Sequence, residues 1–147
     1  VPSRGLGDVY KRQYKFKKNI SINYQNDGKS EYLINGIENR IEQIVANLLD
    51  NSISFSDDGS EVIVNVSNGL EKKVTVKILD EGQGFKEKDT SKIFNRFYSN
   101  RPENFGEHSG LGLNIVKNLV ELHDGKIEAS NRLDKQGAMI EIKFPSL

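Results

Sequence analysis

Apolar residues recur along this chain with two periods, and the switches between them mark out its elements. Ile20, Ile22 and Tyr24 alternate with polar neighbours, as do Tyr32 and Ile34, with Asn26-Asp27-Gly28 between the two runs. Alternation turns one face inward and an Asp-Gly step favours reversal, so this stretch predicts a strand, a turn and a second short strand. Ile37, Ile41, Ile44, Val45, Leu48, Leu49 and Ile53 then recur at helical spacing, which predicts a helix of about 18 residues with one apolar face. Asp57-Asp58-Gly59 marks a turn. Val62, Val64 and Val66 alternate, then Val74, Val76 and Ile78, with Asn68-Gly69 between them as a hairpin signal.

From Asp80 to Ser109 the chain is polar and glycine-containing, broken only by an apolar knot of Ile93, Phe94, Phe97 and Tyr98. Ordinary loops have a median of about 4–6 residues, so a connection this long reads as a functional lid. A second helix is predicted over Leu111 to Leu122, buried through Leu113, Val116, Leu119 and Val120 and stopped by Gly125. A strand begins at Ile127 and Ala129, and a last one runs from Ala138 to Phe144, closed by Pro145. The order ββ-α-ββ-lid-α-ββ is an α+β arrangement with helices on one face of a mixed sheet.

Composition narrows the field. The 147 residues fit one domain, and 21 Lys and Arg balance 21 Asp and Glu, so no whole-molecule field favours nucleic acid or a membrane surface. With no cysteine there is no disulfide, thiol nucleophile or Cys-ligated metal, and His108 and His123 are too few for a histidine-rich metal site. No run approaches the roughly 18 apolar residues of a membrane span and no signal-peptide pattern opens the chain, so a soluble intracellular domain is expected. Residues 1–13, VPSRGLGDVYKRQ, share neither period and read as a non-native or disordered leader, leaving 14–147 as the domain. Without Arg4, Lys11, Arg12 and Asp8 the body carries 18 positive and 20 negative charges.

Three clusters carry candidate chemistry. Asn47 and Asn51, four residues apart, share a face of the first helix beside its apolar stripe. Their carboxamides can offer oxygen to a hard cation such as Mg²⁺ and N–H to phosphate, or simply decorate a solvated face. Asp80-Glu81-Gly82-Gln83-Gly84 puts a carboxylate at a strand's end, able to accept from an exocyclic amine, beside glycines that admit a flat ring; an ordinary glycine turn is the alternative. Ser109-Gly110-Leu111-Gly112-Leu113 opens the second helix, where unpaired N–H groups attract anions, although Gly110 as a plain cap fits too. It is neither a P-loop nor a Rossmann fingerprint.

In this order, Asn47 to Ser56, Asp80 to Gly84, Ile93 to Tyr98 and Ser109 to Leu113 resemble the N, G1, F and G2 boxes of the ATP-binding catalytic domain of bacterial sensor histidine kinases. The resemblance covers essentially all of 14–147 and implies the Bergerat fold, a two-layer α/β sandwich with a mixed, mostly antiparallel sheet. It implies ATP and Mg²⁺ as cofactors, with Asn51 and Asn47 at the metal and Asn47 also near the phosphates. Asp80 would bind the adenine amine, with Gly82 and Gly84 beside the ring. Gly110, Leu111 and Gly112 would receive phosphates, and Phe94, Phe97 and Tyr98 would anchor a lid over about 86–108 that moves without nucleotide.

Hydrolytic relatives carry a Glu as general base where this chain has Asn47, so the site looks arranged to hold ATP without activating water. Such a site suits transfer to a nitrogen nucleophile. Arg96 and Arg101 are candidates to neutralise the transferring phosphoryl group, with ion pairing or solvation as their ordinary readings. Ser54 departs from the usual Lys or Arg, Ser52 from Ala, and His108-Ser109 from Gly-Thr. The run FYSNRPENFGEHSGLGL is similar to a branch of alphaproteobacterial envelope-sensing kinases.

The phosphoaccepting histidine of such kinases lies in a separate dimerisation domain, and neither His108 nor His123 sits in its motif. The resemblance therefore implies γ-phosphoryl transfer to a histidine of a dimerisation domain absent from this chain, and then to a response regulator. Neither nucleic acid nor membrane contacts this domain in that reading, and the parent is anchored in the inner membrane. The alternative is a nucleotide-binding regulatory module with little transfer, since Ser54 removes a cation.

Overall fold

The computed structural model describes residues 19–28, 32–69, 72–86, 90–95 and 111–146. In chain order its elements are β1 (Ser21–Asn26), α1 (Glu38–Phe55), β2 (Glu61–Gly69), β3 (Lys73–Leu79), a 3₁₀ turn (Thr90–Phe94), α2 (Leu111–Leu122), β4 (Lys126–Asn131) and β5 (Ala138–Pro145). The strands form one sheet in the order β1-β2-β3-β5-β4, with β1 parallel to β2 and the other three pairings antiparallel. This is the mixed, mostly antiparallel sheet expected.

Its inner face is made by the alternating residues Val62, Val64, Val66, Ile78, Ile140, Ile142 and Phe144, all buried. Against that face lie the apolar stripes of α1 (Ile41, Ile44, Leu48, Leu49) and α2 (Val116, Val120). Two one-sided layers thereby remove each other's apolar surface from water, the dominant favourable term in folding. No helix among the described residues is long and apolar enough to cross a membrane.

Three expectations are corrected. Tyr32 and Ile34 do not form a strand beside β1. The Asn26 side chain does accept the Gly28 N–H at 2.8 Å, so the turn forms, but Ile34 makes only an isolated bridge to Ser146. The Tyr32 hydroxyl donates to the Asp27 carboxylate, and its ring packs with Val66 and Val74. β1 finds six register partners in β2, more than a three-residue run can supply, and α1 is the long crossover that parallel pairing requires.

The second correction concerns the β2–β3 reversal. Pairing continues through Asn68↔Val74 to Gly69↔Lys73, so the chain turns after Gly69, with Lys72 at φ +57°. Asp27 accepts the Asn68 N–H at 2.8 Å and holds that residue in the strand.

The third concerns the lid. Ile93 and Phe94 are buried in the main core, and the Thr90 hydroxyl donates to the Ala129 carbonyl at 2.6 Å. Thr90–Phe94 therefore belongs to the packed body, covering the outer strand β4. Phe97, Tyr98 and the rest of 96–110 lie outside the described residues.

Candidate functional site

Asp80 follows β3 directly and is 3% exposed. Its Oδ1 accepts the Gly82 N–H at 2.9 Å and the Ala138 N–H at 3.0 Å, while no described residue donates to Oδ2. Burial pushes the carboxyl above its ordinary value of 3.8, against the opposing pull of those two N–H groups and of Arg132. One oxygen is thus fixed to the backbone, which aims the other. A carboxylate held this way can accept from a ligand amine.

The loop that carries Asp80 closes on the end of α1. A Cβ on Gly82 would come within 2.6 Å of the Phe55 carbonyl oxygen, so only glycine allows this approach. Gly84 stands at φ +81° beside Asn131, whose amide clamps Phe85 by accepting its N–H at 2.6 Å and donating to its carbonyl at 3.2 Å.

The last turn of α1 is unusual for its polar content. Asn51, Ser52 and Ser54 are all buried alongside Ile53, whereas earlier turns bury only the apolar stripe. Asn51 is 4% exposed, which removes the reading of it as decoration on a solvated face, and Asn47 is half-buried one turn earlier. Ser54 is 5% exposed and its hydroxyl donates to the Asn51 carbonyl at 2.8 Å; that of Ser56 donates to the Ser52 carbonyl at 2.7 Å. Both hydroxyls turn back onto their own helix, so Ser54 does not stand in for a long cationic side chain.

α2 lies along α1. His123, at the end of α2, donates from Nδ1 to the Leu119 carbonyl at 2.8 Å and accepts the Ile37 N–H on Nε2 at 3.1 Å. The end of α2 therefore meets the beginning of α1, and the start of α2 lies toward the half of α1 that carries Asn47 and Asn51. Gly112, in the first turn of α2, is exposed, and among the described residues a Cβ there would meet nothing within 4 Å. Leu111 opens the same helix, while Gly110, Arg96 and Arg101 lie outside the described residues. Among the described residues there is no group of three or more His, Cys, Asp or Glu that could hold a metal.

No pattern in the sequence points to the β4–β5 connection, yet it supports the Asp80 loop. Arg132 donates from Nη1 to the Asp80 carbonyl at 3.1 Å, and from Nε and Nη2 to both oxygens of Asp134 at 3.0 and 2.8 Å. Glu81 accepts the Glu61 N–H at 2.7 Å and pairs with Lys135 at 3.1 Å, which together hold its carboxyl below the usual range. Arg132, Asp134 and Lys135 sit some fifty positions from Asp80 and share no motif with it.

Residues 36–147 match the sequence profile described as histidine kinase-, DNA gyrase B-, and HSP90-like ATPase. The chain is 36% identical over 151 aligned residues to sensor protein ChvG of the alphaproteobacterium Agrobacterium fabrum, covering 98% of this chain and 25% of that protein. It thus spans about a quarter of the length of that curated relative. In fold it is similar to the mycobacterial sensor histidine kinase MprB, with TM-score 0.85 and 24% identity over 99% of this chain and 95% of that one. It also resembles histidine kinase ThkA solved in complex with response regulator protein TrrA, with TM-score 0.77 and 23% identity over 98% of this chain and 39% of that one. The profile extends from the start of α1 to the last residue, across every cluster in the site, and the chain belongs to the family of histidine kinase-, DNA gyrase B- and HSP90-like ATPases.

Proposed function

We propose that residues 14–147 form the nucleotide-binding catalytic domain of a sensor histidine kinase, with residues 1–13 outside it. The domain binds ATP with Mg²⁺ and presents the γ-phosphoryl group to a histidine on a separate dimerisation domain of the parent protein. The carrying observation is Asp80, whose carboxylate has one oxygen pinned by two backbone N–H groups and the other facing no described donor. That oxygen suits the adenine amine, with Gly82 and Gly84 making room beside the ring. Asn51 and Asn47 offer carboxamide oxygens for Mg²⁺, which when bound would neutralise phosphate charge. The start of α2, at Gly110, Leu111 and Gly112, offers its N–H groups to the phosphates.

Asn47 supports transfer over hydrolysis, because a carboxamide cannot take a proton from water near neutral pH. Transfer then rests on positioning and charge neutralisation, for which Arg96 and Arg101 are the cationic candidates. His123 has both ring nitrogens engaged within the fold, which supports an acceptor elsewhere. A response regulator would receive the phosphoryl group next, as the pairing of ThkA with TrrA suggests for this class of protein. No part of this reading needs nucleic acid or a membrane at the domain itself; the parent protein is anchored in the inner membrane.

Ser54 favours a second reading, a regulatory module that binds nucleotide and transfers little, since its buried hydroxyl cannot reach a phosphate. The two separate by supplying an isolated dimerisation domain and following its phosphorylation. The nucleotide site itself is tested by calorimetric titration with a non-hydrolysable ATP analogue. Affinity should rise at least roughly tenfold with Mg²⁺ in the wild type, and Asn51→Ala should abolish that gain. Equal wild-type affinity with and without metal would refute the metal assignment.

A further inference from the structure

We propose that Arg132 is a positioning residue for adenine recognition: its guanidinium occupies the Asp80 carbonyl so that the Ala138 N–H is left to orient the Asp80 carboxylate. This rests on the reading of Asp80 as the adenine-binding group. The register of β3 against β5 reaches Leu79↔Met139, so Asp80 lies opposite Ala138 one step further. In an antiparallel ladder such a pair exchanges two bonds, each N–H donating to the other's carbonyl. Only half of that exchange is present. The Asp80 N–H donates to the Ala138 carbonyl at 3.0 Å, but the Ala138 N–H donates to Asp80 Oδ1, also at 3.0 Å.

The Asp80 carbonyl has thereby lost its ladder donor, and Arg132 Nη1 replaces it at 3.1 Å. Several features make this replacement a built one. The Arg132 side chain is 3% exposed, and its remaining edge is locked to Asp134 in a two-point fork. The Arg132 N–H donates to the Gly137 carbonyl at 2.9 Å, which closes the connection under Asp80. A Cβ on Gly137 would collide with the Asp80 carbonyl oxygen, so glycine is what lets this strand end approach.

Two acceptors on Asp80 therefore compete for the Ala138 N–H, and Arg132 decides the competition. Without its guanidinium, the buried carbonyl would be left without a donor, and the Ala138 N–H would return to it to complete the ladder. Oδ1 would then keep only the Gly82 N–H and the carboxylate would turn, with the aim of Oδ2 lost. The fold would survive that exchange, because the ladder gains a regular bond. Selectivity for an amine on the purine would not.

The test compares ATP with ITP, whose purine carries a carbonyl in place of the 6-amino group, by calorimetric titration of the full chain with Mg²⁺. Wild type should prefer ATP. Arg132→Met keeps the apolar stem and removes every donor; it should lower the ATP-to-ITP affinity ratio roughly tenfold while ITP affinity stays within about twofold. Arg132→Lys, which can still donate to the carbonyl, should recover most of the ratio. Should Arg132→Met not fold, Asp134→Ala, which frees the guanidinium from its fork, must lower the ratio instead. Equal losses for both nucleotides, or an unchanged ratio, would overturn the role of Arg132 alone. A wild type that binds the two equally, or binds neither, would overturn the Asp80 reading and this one together.

Discussion

Asp80 is held in a state that the fold alone would not favour. Its carboxyl is buried and its pKa raised, so ionisation is harder in the folded chain than in the unfolded one. Well below the ordinary value of 3.8 the carboxyl is protonated in both states and its titration contributes no difference in stability. As pH rises from 3.8 to the raised folded value, the unfolded state releases its proton first and the folded state is increasingly penalised, by an amount that stays constant at higher pH. Asp80→Asn keeps an oxygen for the Gly82 and Ala138 N–H groups and removes that penalty. The variant should melt no lower than wild type at about pH 4 and higher at neutral pH, a difference that thermal scans across pH read directly.

The same variant presents an amide N–H to the adenine amine, donor against donor, and should bind ATP at least roughly tenfold more weakly by calorimetry. Stability gained with affinity lost is the signature of a residue kept for its ligand. In the sequence the Asp80-to-Gly84 cluster leaves an ordinary glycine turn open, and it is the resemblance to the kinase boxes that singles Asp80 out. Arg132 is not legible there, because its bond to the Asp80 carbonyl depends on a ladder exchange that only the register reveals.

At the scale of elements, the period of the apolar residues located both helices closely: α1 spans Glu38–Phe55 and α2 spans Leu111–Leu122. The periods could not say which strands pair. An Asn-Asp-Gly turn after β1 pointed to a local hairpin, but β1 joins β2 across the whole of α1, and no local signal encodes a partner some forty residues away. Polar burial was equally hidden. Asn51, Ser52 and Ser54 look like surface residues in the sequence, yet all three are buried, in a turn whose end the Gly82 loop approaches at Phe55.

Gly112 is the opposite case, a glycine that no contact among the described residues requires. Among the described residues a Cβ there meets nothing within 4 Å, and alanine is favoured over glycine in helices by up to about 1 kcal/mol. Gly112→Ala should therefore melt at the wild-type temperature or slightly above. If phosphates approach the N–H groups of this first turn, the added methyl should still weaken Mg·ATP binding by roughly tenfold or more. Unchanged affinity in the variant would place the phosphates elsewhere.

For the whole molecule, His123 joins the two helices on which the site is built. Its ring donates to Leu119 within the end of α2 and accepts from Ile37 at the start of α1, where no side chain of α1 itself caps the helix. The Leu119 bond fixes the ring on α2, and the Ile37 bond ties the end of α2 to the start of α1. His123→Phe keeps a ring of similar size and removes both bonds, so it should cost about 1–3 kcal/mol in denaturant unfolding. Nucleotide affinity should fall with it, since the site spans both helices. Phosphotransfer to a supplied dimerisation domain, measured with nucleotide at saturation, should remain within about threefold of wild type, because a positioning contact at the far end of the helices takes no part in the chemistry. A variant that bound ATP normally but no longer phosphorylated the domain would instead tie His123 to the transfer step rather than to the placing of the helices.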